Sequence, residues 1–221
     1  MSKRRMIHQQ EGFTVVELMI ATLVFSVILT VITMGVLSFS NRYYKAVNAS
    51  TTQNTTRTVI DTITQAIQFG SAQVVPSDPS KTYFCAGGNV FMFDDIPTKY
   101  TGVDSQMGLY MTPMDGEVLA GSSCHSQDRS GGRQLLGENM RLTNLSVAMT
   151  APNVYKVSIA VAYGDTELLC APSLASKCTA AANYAEVDFR DRSDTTCKPF
   201  AGSQFCAASS MTTMVSKRLT N

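Results

Sequence analysis

Residues 12 to 39 of this 221-residue chain form an almost uninterrupted apolar run, from Gly12 to Phe39, that contains one carboxylate, Glu17, and sits directly behind a short basic leader. As a helix this run reaches roughly 40 Å at about 1.5 Å per residue, enough to cross a hydrocarbon core of about 30 Å. It reads as a membrane span. Lys3, Arg4 and Arg5 precede it, opposed only by Glu11, and Arg42 and Lys45 follow it beside a long polar domain. That asymmetry predicts a cytoplasmic amino end and an exported carboxyl domain. An ordinary secretory signal has an apolar region of about 7–15 residues and a small-x-small cleavage site. Neither is present, so simple secretion with loss of the whole segment is not expected. Glu17 is the anomaly: acidic residues inside a bilayer are costly and have a partner or a function. The plainer alternative is a carboxylate beside the headgroups that snorkels to water.

The string Gly12-Phe13-Thr14-Val15-Val16-Glu17-Leu18, with its basic leader and the apolar stretch behind it, resembles the class III signal of type IV pilins and of the pseudopilins of type II secretion. The resemblance runs over about residues 8 to 45 and is only architectural beyond. It implies that a membrane-embedded aspartyl prepilin peptidase cuts between Gly12 and Phe13 and methylates the new amine of Phe13. It also implies that Glu17 serves subunit assembly. The freed amine of Phe13 would lie one helical turn from Glu17, and a neighbouring copy could offer its own amine to the same carboxylate. Many major pilins carry a helix-kinking proline in mid-span, whereas Thr30 to Gly35 contains none. Implied partners are the prepilin peptidase, other pilin or pseudopilin subunits, the inner-membrane assembly platform and, before assembly, membrane lipid. The implied location is the inner membrane, then a pilus or pseudopilus, with no cofactor.

What remains after the leader and the span suits one globular domain with a real core. The net charge of +1 and 16% charged residues give no field that would indicate nucleic acid as a partner. Six cysteines, Cys85, Cys124, Cys170, Cys178, Cys197 and Cys206, all fall on the exported side, where disulfides are the default. Sequence leaves fifteen pairings open. Cys170 with Cys178 and Cys197 with Cys206 are close enough to close locally, leaving Cys85 and Cys124. Loops of such size stabilise a fold by about 2–4 kcal/mol each in the chain-entropy model. A zinc site from the last four cysteines is the competing reading, but the tight spacings of zinc ligands are missing.

Asn41 to Phe69 continues the helix with a changed surface. Tyr43, Tyr44, Val47, Val59, Ile60, Ile63 and Ile67 recur at intervals of three and four, interrupted by a Thr-rich gap between Ala49 and Thr58; they predict an apolar stripe for a docked head. Gly70 is the expected stop, with Pro76 and Pro79 behind it. Leu142 to Thr150 and Tyr155 to Tyr163 alternate apolar residues on either side of Ala151-Pro152-Asn153 and predict a hairpin. Phe84 to Phe93 and Gly108 to Met114 are weaker strand candidates, Cys170 to Cys206 reads as long loops, and Met214 to Leu219 as a last short strand. The expected fold class is α+β, a long amino-terminal helix packed on an antiparallel sheet with disulfide-bonded loops, which is also what the resemblance implies. The expected divisions are a removed leader (1–12), a transmembrane assembly segment (13–40), an amphipathic extension (41–70) and an exported β-rich head (71–221).

Other chemistries leave weak traces. His125 beside Cys124 suggests a cysteine–histidine nucleophile, but adjacent loop residues point apart and catalytic partners come from distant segments. The common hydrolase, metalloprotease and phosphate-loop strings are absent from the sequence. Glu186, Asp188, Asp191 and Asp194 form a cluster able to hold calcium, although their spacing matches no calcium loop and Arg190 and Arg192 neutralise them. No catalysis is expected. The reading is a structural subunit, with a membrane-anchored binding or adhesion domain and an exported anchored enzyme as the alternatives. Within the resemblance, chain length, the missing proline and the ending Thr213-Met-Val-Ser-Lys-Arg-Leu219 favour a W-type minor pilin or a J-type pseudopilin over a major pilin.

Overall fold

The structure is a computed structural model and describes residues 12–70, 74, 83–93, 108–114, 124, 131–165, 168–170, 195–199 and 202–218. It divides into two compact units, Met1–Tyr43 and Tyr44–Asn221. The first holds the apolar part of helix α1, which runs Val15–Phe69. From Val15 to Phe39 its apolar side chains are exposed. The helix is unbroken through Thr30, Thr33 and Gly35. The hydroxyls of Thr30 and Thr33 donate to the carbonyls of Ser26 and Leu29, at 2.8 Å each, which satisfies them within the helix.

The second unit is α+β. Strands β1 (Tyr83–Ala86), β2 (Asn89–Phe93), β3 (Leu109–Pro113) and β4 (Arg133–Gln134) form one antiparallel sheet in chain order. Strands β5 (Met140–Ala151), β6 (Val154–Tyr163) and β9 (Ala207–Ser216) form a second antiparallel sheet with β6 in the middle. Between them in the chain, β7 (Leu169–Cys170) and β8 (Thr196–Cys197) make a short separate pair. Both large sheets and the upper turns of α1 share one core. Val59, Ile60, Ile63 and Ile67 of the helix meet Phe84 and Phe91 of the first sheet and Val147, Val157, Ile159 and Val161 of the second. The rings of Phe84 and Phe91 stack 4.8 Å apart.

Several expectations need correction. The candidate strand Phe84 to Phe93 is a hairpin, because Gly87 and Gly88 adopt φ of 61° and 81° and so form the tight turn that only such backbone allows. The helix stripe is not buried at its Tyr43 end and has no gap at the threonines. Tyr43, Tyr44 and Val47 are 58%, 47% and 42% exposed, whereas Thr52 and Thr56 are fully buried. Their hydroxyls donate to the carbonyls of Asn48 and Thr52 at 2.7 and 2.8 Å. A helical threonine bonded in this way enters a core as a small apolar residue, so the gap is part of the stripe. The final strand starts earlier than expected, at Ala207, and ends at Ser216; Leu219 lies outside the described residues. Within Cys170 to Cys206, expected as loops, the described residues include one end of the β7–β8 pair and a 3₁₀ turn at Ser203–Phe205.

The β5–β6 hairpin turns at Pro152-Asn153, with Asn153 at φ 61°, as asparagine tolerates. The helix stops at Gly70, whose amide donates to Ala66 O at 3.1 Å. A Cβ added at Gly70 would overlap the backbone of Gly87, so the helix end and the β1–β2 turn meet backbone to backbone. No basic residue lies in the last turn of α1. Arg218 supplies one, its amide donating to Gln68 O at 3.3 Å and its guanidinium resting 5.1 Å from the Phe69 ring, where a cation complements the negative helix end.

Candidate functional site

The amino end of α1 is built by a local exchange of hydrogen bonds. Thr14 stands just outside the helix, and its hydroxyl oxygen accepts the Glu17 amide at 3.3 Å. Glu17 Oε2 in turn accepts the Thr14 amide at 3.0 Å and the Thr14 hydroxyl at 2.8 Å. This is a capping box, in which an N-cap threonine and a glutamate three residues on satisfy each other's orphan donors. The first helical bond, from Leu18 N–H to Thr14 O, follows at 3.2 Å. A carboxylate in the first turn also complements the positive end of the helix dipole.

Gly12 and Phe13 lie in irregular, exposed backbone before the box, with Phe13 84% exposed. A Cβ added at Gly12 would touch nothing among the described residues. Gly12 and Phe13 are thus exposed just ahead of an intact helix start. Lys3, Arg4 and Arg5 lie outside the described residues. Sequence reasoning gave Glu17 an amine partner and missed Thr14, although the Thr14-x-x-Glu17 spacing before an apolar run is itself the signal. From Val15 onward α1 is long and apolar enough to cross a membrane.

In the head, the lower helix turns meet the cysteine-bearing end of the chain. Asn48 Nδ2 donates to Gln204 O at 2.9 Å, and the rings of Tyr44 and Phe205 lie 5.9 Å apart. Cys197 and Cys206 are bonded, as are Cys85 and Cys124, each with S–S of 2.08 Å. Cys170 is also disulfide-bonded; Cys178 lies outside the described residues, as do His125, Glu186, Asp188, Asp191 and Asp194. Among the described residues no cluster of three His, Cys, Asp or Glu could hold a metal. An open cavity of about 410 Å³ lies beside Lys45 and Ala49 of α1, Ser209 and Ser210 of β9 and the Cys197–Cys206 bridge. Among the described residues its walls carry hydroxyls and the Lys45 amine.

Residues 7–33 match the family described as the prokaryotic N-terminal methylation motif. Neither curated proteins nor solved structures give a match to the chain. The motif implies a structural subunit processed by a prepilin peptidase and assembled with other pilins. Its place at the head of a long apolar helix, which continues into an α+β head, supports a type IV pilin-like family for this chain.

Proposed function

We propose that the chain is a minor pilin or pseudopilin, of the kind of a W-type minor pilin or a J-type pseudopilin. Its precursor inserts with the leader on the cytoplasmic side and its disulfides form outside. The peptidase cuts after Gly12 and methylates Phe13, and α1 then leaves lipid for the interior of a helical filament. The observation that carries this reading is the Thr14–Glu17 box at the mouth of an exposed apolar helix. A carboxylate so held needs no second subunit while the protein waits in the membrane. In a filament interior it becomes a buried charge that only the amine of a correctly docked neighbour compensates, and subunits docked out of register are rejected.

The role is tested with Glu17→Gln. The expected outcome is normal insertion and cleavage with loss of the chain from sheared filaments or pseudopili. Incorporation at the wild-type level would refute an assembly role for Glu17.

A further inference from the structure

Within the unit Met1–Tyr43, the apolar part of α1 has polar structure at both ends. At the leader side stands the Thr14–Glu17 box. At the other side the rings of Phe39 and Tyr43 stack on one helix face, centroids 6.4 Å apart and planes 21° from parallel, and both are exposed, 72% and 58%. Arg42, between them, is the first charged residue after Glu17. The hydroxyls of Thr22, Ser26, Thr30 and Thr33, which lie between the two ends, are each bonded to a carbonyl of the preceding turn. From Leu18 to Ser38 the helix measures about 32 Å at about 1.5 Å per residue, close to a hydrocarbon thickness of about 30 Å.

We propose that Phe39, Arg42 and Tyr43 form a collar seated in the phospholipid headgroup layer on the head side of the membrane. The collar fixes the depth of the span, so that Glu17 stands at the opposite headgroup boundary and not in hydrocarbon. This rests on the reading of α1 as a membrane span. The occupant follows from the residue types. The Tyr43 ring, with its one polar edge, settles at the membrane–water boundary with Phe39 stacked on its hydrocarbon side, and a guanidinium matches a lipid phosphate. Helix–helix contacts inside lipid favour small residues that let backbones approach, and none of these three is small. With the collar in place Glu17 stays hydrated until assembly, and the cost of burying it falls on entry to the filament rather than on insertion.

The chain has no tryptophan, so single substitutions report depth cleanly. Full-length Leu18→Trp, Phe25→Trp and Phe39→Trp proteins are reconstituted in vesicles of phosphatidylethanolamine and phosphatidylglycerol that carry bromine at shallow or at deep acyl positions. The expected result is greater loss of fluorescence to shallow bromines for Leu18→Trp and Phe39→Trp, and to deep bromines for Phe25→Trp. Adding Arg42→Gln with Tyr43→Ala shifts both end probes in depth. If Phe39→Trp is quenched most by deep bromines, or only by aqueous iodide, while Phe25→Trp stays deep, the collar is wrong and the span stands. A Phe39→Trp signal that changes with protein-to-lipid ratio puts a second copy on this face and overturns the lipid assignment. No quenching of Phe25→Trp by any bromolipid overturns the span as well.

Discussion

Thr14 and Glu17 satisfy each other at the start of α1: the threonine hydroxyl caps the Glu17 amide, and the glutamate carboxylate holds both the amide and the hydroxyl of Thr14. This local job of Glu17 is separate from the assembly role proposed for it. Thr14→Ala removes the hydroxyl and keeps the carboxylate. Faster amide exchange over residues 15 to 18 is expected in detergent-solubilised protein, with Thr14→Ser restoring protection. Unchanged exchange in Thr14→Ala would show that the box contributes nothing to the helix start.

Gly87 fixes how the helix end meets the first sheet. It holds φ of 61°, and a Cβ there would overlap the Ala66 carbonyl. Gly87→Ala should lower the unfolding free energy by at least about 1–3 kcal/mol, the range for backbone strain at such positions, with the overlap adding to it. Gly131→Ala, where a Cβ would touch nothing, should stay within about 0.5 kcal/mol of wild type. Denaturant unfolding of the two proteins side by side checks the difference, and equal midpoints would contradict the close approach.

The two described disulfides close loops of different size, with separations of 39 residues for Cys85–Cys124 and 9 for Cys197–Cys206. Chain entropy predicts a loss of about 4 kcal/mol on removing the first and about 3 kcal/mol on removing the second. Paired cysteine-to-alanine variants test this order by denaturant titration. Removing Cys197–Cys206 should also loosen the turn that carries Gln204 and Phe205, read as faster exchange at residues 203 to 206.

The readable features were those written in consecutive residues. The Gly12 to Leu18 string, the apolar run behind it and the stop at Gly70 are all local, and so is the alternation of β5 and β6 around Pro152-Asn153. The helix stripe was half legible: Val59 to Ile67 show as apolar residues, but Thr52 and Thr56 do not, because their polarity is cancelled only by hydrogen bonds within the helix. The division of Phe84 to Phe93 by Gly87-Gly88 is a local signal that an otherwise apolar run obscured. Asn48 and Gln204 are 156 residues apart, and no periodicity connects them. At the amino end, the role of Thr14 shows only in its hydrogen bonds with Glu17.

The most direct test is the amino-terminal sequence and intact mass of the membrane-extracted protein, expressed with and without an active prepilin peptidase. A chain that begins at Phe13, carries one added methyl group and appears only with the peptidase is the expected result. A chain that keeps Lys3, Arg4 and Arg5 in the presence of active peptidase would contradict the proposal that this is a processed pilin-like subunit.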